Sequence, residues 1–178
     1  MPGKKNANLR VAIITLSTRV AKGERKDLGG DAVANSVQKS GMSICDRKVI
    51  ADKKQELTDY LSEVCRLQKA DIILTTGGTG LSKSDVTPEA TIQIIEKRLA
   101  GLEFAMFQFG LKQTPYAALS RAIAGTCKNT VIVNLPGNPR GATENLSAII
   151  DVLPHAVKVL QSEQVADKEH TPPTSSAS

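Results

Sequence analysis

Three glycines in four positions, Gly77, Gly78 and Gly80, follow an apolar run that ends in Thr75 and Thr76. Glycine accepts positive φ and lets backbone come close, so consecutive N–H groups there can form a nest for an anion. Thr75, Thr76 and Thr79 add hydroxyls. Thr87, Pro88 and Glu89 read as a helix start, with Thr87 as N-cap and Pro88 at the first position. The positive end of that helix would lie near the loop. This is phosphate chemistry, yet neither standard phosphate loop fits. Leu81 follows Gly80 where a Walker loop has Lys, and Lys83 stands where the dinucleotide pattern needs its third glycine.

Asp85 sits beside this loop, and a carboxylate repels a phosphate unless something intervenes. Mg²⁺ takes carboxylate and phosphate oxygens together, which makes Asp85 a candidate ligand and Asp27 a second. PGNPRG at 136–141 resembles another loop-to-helix junction, with Asn138 as cap, Pro139 at the first helical position and Arg140 as a cation. The same residues have plain structural readings: a turn that needs glycine, solvated loop acids, an ordinary helix cap. Their types and spacing leave both open.

Other chemistries are excluded more firmly. Cys45, Cys65 and Cys127 lack metal spacing, and Cys65 falls on an apolar helical face, so buried free thiols are expected. His155 and His170 have no clustered partners, which rules out a zinc site or a His-based triad. With no Trp, two Tyr and three Phe, the chain lacks the aromatic platforms of single-strand nucleic-acid binders. The net charge of +5 includes Lys4, Lys5 and Arg10 in the N-terminal arm, a solvated tail or a general attraction for anions. No apolar run approaches membrane length and no signal-peptide core is visible, so a reducing cytoplasmic setting is expected.

These residues need elements to position them. Apolar runs at 9–16, 71–75 and 130–135 read as strands, the first and last buried on both faces, and 43–50 is a plausible further strand. Helical spacing marks 53–68, and DAVANSVQKSG at 31–41 reads as a helix ended by Gly41. A further helix is expected from Pro88 through Ile92, Ile95 and Leu99, ended by Gly101. Phe104, Phe107 and Leu111 form another helical stripe, destined for the core or a subunit contact. The stripe Leu146, Ile149, Ile150, Leu153, Val157 and Leu160 predicts one long helix kinked at Pro154. Alternating strands and helices define an α/β fold, a three-layer α-β-α sandwich with a mostly parallel central sheet. One domain at 9–163 is expected, between a flexible arm at 1–8 and a disordered tail at 164–178. Ligands in such folds bind beyond the carboxyl ends of strands. Loops 17–30, 77–87 and 136–141 should therefore converge on one pocket.

The motifs TTGGTG, DVTPEA, LSR and NLPG occur in this order, at 75–80, 85–90, 119–121 and 134–137. The chain resembles the molybdenum-cofactor biosynthesis domain shared by MogA, MoaB and gephyrin, over about residues 9–160. DVTPEAT and NLPGNP look closest to the molybdopterin adenylyltransferase branch. The resemblance implies an enzyme, a nucleotidyltransferase in which molybdopterin attacks the α-phosphate of ATP, with Mg²⁺ required and a homotrimer as the assembly. It places Asp85 as the catalytic acid. Thr76, Gly77, Gly78, Thr79, Gly80, Glu89, Ser120, Pro136, Gly137 and Asn138 fall on the pterin side. Ser17, Asp27 and Gly30 fall on the nucleotide side. Positioning and electrostatics can carry such a transfer without a covalent enzyme intermediate. The chain departs from the family's pattern at Thr18, Gly29 and Ser84, where Asp, Ser and Arg are frequent. A molybdopterin-binding module without catalysis, or a trimeric scaffold, is the alternative.

Overall fold

The computed structural model describes residues 9–162. The arm expected at 1–8 and the tail at 164–178 lie outside the described residues. Strand β1 (Arg10–Leu16) is buried from its second residue to its last. Only a strand flanked by neighbours and covered on both faces accommodates such a run. It pairs in parallel with β2 (Ser43–Ile50) on one side and β3 (Ile72–Thr76) on the other. Next come β6 (Thr130–Leu135), parallel to β3, then β5 (Ala124–Cys127) and β4 (Lys97–Arg98), each antiparallel to its neighbour.

Successive side chains point to opposite faces, and each face has its own core. On one, Val11, Ile13, Leu74 and Val133 pack with residues of α2 (Leu28–Lys39), α5 (Ala100–Gln113), α6 (Pro139–Ser147) and α7 (Leu153–Gln161). On the other, Ile14, Ile73 and Ile132 pack with Leu57, Leu61 and Val64 of α3 (Lys54–Arg66) and Ala90 of α4 (Thr87–Ile92). The expected three-layer α/β sandwich is the observed one.

Several expectations are corrected. Helix α4 stops at Ile92, and the chain then turns into β4, where Glu96 N–H and Leu99 N–H donate to Thr126 and Ala124 carbonyls. Ile95 belongs to this edge and packs over Gly125, where a Cβ would lie 2.7 Å from its side chain. Gly101 begins α5 rather than ending a helix. The expected long helix is two, because Pro154 sits in the first turn of α7, where its missing N–H costs nothing. The helix foreseen at 31–41 starts one turn earlier, at Leu28, although Gly41 does close it with φ of 82°. Phe104, Phe107 and Leu111 are 59%, 39% and 41% exposed, so they are not core; α5 buries Met106 and Gly110 instead. Cys65 and Cys127 are buried as expected, whereas Cys45 is exposed on edge strand β2. Among the described residues, no helix is long and apolar enough to cross a membrane.

Two polar networks tie the layers. Asn134, with no exposed surface, donates through Nδ2 to Thr75 Oγ1 (3.0 Å) and Thr91 Oγ1 (2.9 Å) and accepts from Ile123 N–H (3.3 Å). It therefore links β6 to β3, α4 and the approach to β5. At the opposite end of the sheet, Asp71 accepts from the Arg10 backbone N–H (2.8 Å), from Arg10 Nε (3.2 Å) and Nη2 (3.0 Å), and from Gln161 Nε2 (3.1 Å). Burial alone would raise the Asp71 carboxyl, but the bonds from Arg10 and Gln161 hold it below the usual carboxylate range.

Asn134→Ala would strand buried hydroxyls and an N–H, at a cost of about 2–4 kcal/mol. Urea unfolding should show a lower midpoint with unchanged slope; a stability loss under about 0.5 kcal/mol would contradict the assignment. Because the folded pKa of Asp71 is depressed, its contribution is full above the unfolded value near ~4 and disappears as pH falls through the folded one. The stability gap between wild type and Asp71→Asn should thus shrink on acidification below about pH 4. A gap that stays constant in acid unfolding curves would contradict it.

Candidate active site

Strands β1, β3 and β6 end in register, with Thr15 opposite Thr76 and Thr76 opposite Leu135. Their loops leave the sheet side by side and touch through backbone. A Cβ on Gly77, whose φ is 98°, would lie 2.4 Å from the Leu16 carbonyl oxygen. One on Gly137 would lie 3.1 Å from Gly77 Cα, and one on Gly29 would lie 3.1 Å from the Gly137 oxygen. Thr76 Oγ1 bridges two of the loops by donating to the Pro136 carbonyl (2.7 Å).

The glycine loop is anchored from outside. Thr87 is not the cap of α4; its hydroxyl donates to the Gly77 carbonyl (2.8 Å) and its N–H to that of Gly78 (3.1 Å). Arg121 grips the far end of the loop. Its Nε donates to the Gly80 carbonyl (2.7 Å), its Nη2 to the Asp85 carbonyl (2.8 Å), and its Nη1 pairs with Glu89. The Arg121 backbone N–H donates to the Thr79 carbonyl (3.0 Å). Burial would raise the Glu89 carboxyl, but Arg121 holds it below its usual range. Glu89 Oε2 is shielded and has no hydrogen-bond partner among the described residues. The N–H groups of Gly78, Thr79 and Gly80 likewise donate to nothing there, as an anion nest requires.

Asp85 is half-buried. Its Oδ2 accepts from Ser82 N–H (2.8 Å), while Oδ1 takes no bond from the described residues. Asp27 differs: Oδ1 accepts from Gly30 N–H (2.9 Å) as the cap of α2, and Oδ2 accepts from Thr15 Oγ1 (2.9 Å) and lies 3.5 Å from Arg47. Of the two proposed Mg²⁺ ligands, Asp85 has a free oxygen, and Asp27 would have to give up its cap. The described residues hold no group of three or more His, Cys, Asp or Glu that could cage a metal. Mg²⁺ bound chiefly by substrate phosphates does not need one.

The loops enclose two cavities instead of one. The smaller, about 380 Å³, gathers Ser17, Asp27, Thr76, Gly77, Gly78, Asp85 and Gly137. The larger, about 790 Å³, gathers Thr79, Gly80, Glu89, Ser120 and Pro136, with Phe104, Phe107 and Ile92 as an apolar wall. Loop 77–80 is their common wall, and Asn138 faces both. Asn138 also caps α6 as expected, accepting from Gly141 N–H (2.7 Å). Gly30 lines neither cavity; a Cβ there would lie 2.2 Å from Asp27 Oδ2, so it serves the cap. Arg140 pairs with Glu144 (2.7 Å) on the surface.

Two residues escaped the sequence reading. Arg121 carried only the weak signal of its Ser120 neighbour. Asp52, on the smaller cavity, carried none; its Oδ2 accepts from both the N–H and the Oγ1 of Thr18 (2.8 Å each).

An open α/β sheet with a glycine nest and an acid at its strand ends defines a protein that handles an anionic ligand at that edge. Residues 12–155 match the family described as "Probable molybdopterin binding domain", and the chain belongs to this molybdenum-cofactor biosynthesis family. It is 36% identical over 171 residues to gephyrin of Dictyostelium discoideum, covering 90% of this chain but only 24% of that protein. It is 32% identical to the molybdopterin adenylyltransferase of Helicobacter pylori J99, over 85% of this chain and 88% of that one. Among solved structures, the molybdopterin biosynthesis enzyme MoaB of Thermus thermophilus superposes with a TM-score of 0.80 at 38% identity, covering 85% and 96% of the two chains. The Mog protein of Mycobacterium ulcerans gives 0.79 at 36% identity, covering 85% and 99%.

Arg121→Gln should leave the sheet intact and let the Glu89 carboxyl rise toward its ordinary value. A carboxyl-carbon NMR titration of Glu89 in both proteins measures this, and identical titration midpoints would exclude the clamp.

Proposed function

We propose that this chain is a molybdopterin adenylyltransferase, transferring the adenylyl group of ATP to the phosphate of molybdopterin. One observation carries the reading: a single loop, with unengaged N–H groups at Gly78, Thr79 and Gly80 and Asp85 beside it, separates two cavities large enough for two substrates. The larger cavity suits a flat pterin against Phe104 and Phe107, with its phosphate toward Thr79, Gly80, Ser120 and Asn138. The smaller one suits the nucleotide phosphates, beside Ser17, Gly77, Gly78 and Asp85. The curated bacterial adenylyltransferases that match over most of both chains support this assignment over the scaffold role.

In the reaction, a phosphate oxygen of molybdopterin forms a bond to the α-phosphorus of ATP. The bond to the bridging oxygen breaks and pyrophosphate leaves. Both reactants are anions, so the work is positioning and charge stabilisation. The backbone N–H groups of Gly78, Thr79 and Gly80 orient the attacking phosphate, and Asn138, facing both cavities, can hold either reactant. Among the described residues no His or Cys lines either cavity, consistent with direct transfer and no covalent enzyme intermediate. Mg²⁺, when bound, would supply charge neutralisation on the phosphates, and Asp85 through Oδ1 is the residue that fits it. A homotrimer belongs to the same reading as the assembly implied by the family.

Asp85→Asn keeps the Ser82 bond but removes the charge. Turnover to adenylyl-molybdopterin and pyrophosphate should fall by about 10²–10³ while the protein stays folded. A normal rate in this variant would refute the role of Asp85. Tight molybdopterin binding by wild type with no product from Mg-ATP would instead favour a non-catalytic binding module.

A further inference from the structure

The two cavities differ in which charges remain free. Around the larger one the cations are already paired: Arg121 with Glu89, and Arg98 with Glu103. Around the smaller one the acids are the engaged partners. Asp27 accepts from Gly30 and Thr15 and lies 3.5 Å from Arg47; Asp52 accepts from Thr18; Asp85 accepts from Ser82 through one of its two oxygens. Its cations are not engaged. Arg19, Arg25 and Lys26 line this cavity, are exposed, and form no side-chain hydrogen bond or ion pair with the described residues.

This asymmetry assigns the ligands. A multiply charged anion gains most where cations are unpaired and donors are aimed inward. Residues Arg25 and Lys26 lie immediately before Asp27, whose cap pins the start of α2, so they stand on a segment fixed at one end by Thr15 and Gly30. Arg19 lies in the short helix α1 (Thr18–Ala21), whose start is tied to Asp52 through Thr18 and to Ile50 through Ser17. All three cations belong to one stretch of chain, at 19–26, on the side of the cavity formed by the first strand-end loop.

We propose that Arg25 and Lys26, assisted by Arg19, bind the β- and γ-phosphates of the nucleotide and then the departing pyrophosphate. They are thereby the residues that select a nucleoside triphosphate over a monophosphate. The proposal rests on the adenylyl-transfer reading, since it names the nucleotide determinants of that site. Arg offers a planar fork for two phosphate oxygens and Lys a point charge. Their cost when empty is small because both are solvated.

The test is calorimetric binding of Mg-ATP, AMP and pyrophosphate to the full chain and to Arg25→Gln/Lys26→Gln. Wild type should bind ATP more tightly than AMP. The double variant should bind ATP and pyrophosphate about ten- to hundredfold more weakly, with AMP affinity changed by less than about twofold. Lys39→Gln, at the far end of α2, removes a charge of the same sign and should leave all three affinities unchanged. The double variant Arg25→Lys/Lys26→Arg should recover the ATP preference. If the Gln variant keeps the wild-type preference for ATP, or wild type has none, the proposal fails. Wild-type turnover, assayed separately as pyrophosphate release with molybdopterin, judges the reaction itself. Turnover with an insensitive preference overturns only the assignment of Arg25 and Lys26. A preference lost in the variant, without wild-type turnover, overturns the reaction and leaves a triphosphate site.

Discussion

The closeness of three strand-end loops is the constraint on which the site depends. β1, β3 and β6 run parallel and finish level, so three chains must turn away within one narrow edge. They manage it by backbone-to-backbone contact at Gly29, Gly77 and Gly137. At Gly77 any side chain would meet the Leu16 carbonyl, and its positive φ would add strain. Because the loops sit this close, the wall between the two cavities is one loop thick. In the proposed adenylyl transfer, that thinness would let the two substrates reach each other across it.

A loop held only by glycines would be free to move, so its shape must come from elsewhere. Thr87 takes the Gly77 carbonyl, and Arg121 takes those of Thr79, Gly80 and Asp85. These contacts occupy carbonyls, while the N–H groups of Gly78, Thr79 and Gly80 have no acceptor among the described residues. The loop thus keeps unengaged donors, which is the polarity an anion needs. The carboxylates follow the same logic in reverse. Asp27 and Asp52 fix the starts of α2 and α1, and their repulsion toward an anion is offset by donors they already hold. Asp85 keeps an oxygen free directly beside the nest.

What could be read from the residues was what local chemistry determines. The buried strands announced themselves as unbroken apolar runs, and the Asn138 cap with Pro139 after it needs only neighbours within four positions. The glycine loop was legible for the same reason. Features set by distant partners were not. β5 is the short segment AGTC, a strand only because β6 supplies its ladder. The apolar spacing of Ile92, Ile95 and Leu99 fits a helix, but Ile95 packs over Gly125 and Leu99 bonds to Ala124 of β5, while α4 ends at Ile92. Phe104, Phe107 and Leu111 keep a true helical period on the exposed side of α5, so period gave the element and not its orientation. Asp52 reaches the cavity through Thr18, 34 positions away in the chain.

Arg121 also explains why this loop lacks the lysine of a Walker motif. In that motif a cation at the end of the loop reaches the phosphates directly. Here the position after Gly80 is Leu81, which is exposed, and the cation that serves the loop approaches from a different segment. Its charge is met by Glu89 and its donors by carbonyls, so little of it remains for a ligand. The two jobs that one lysine performs in a Walker loop are therefore divided. Arg121 holds the loop through its carbonyls, and in the proposed site the charge for the ligand comes instead from Arg19, Arg25 and Lys26, which line the smaller cavity without partners among the described residues. The proposed transfer, which brings two anions together, would benefit from that division. The cation that holds the loop would stay paired whichever substrate is bound, while the exposed ones would be neutralised by one substrate and released with its product.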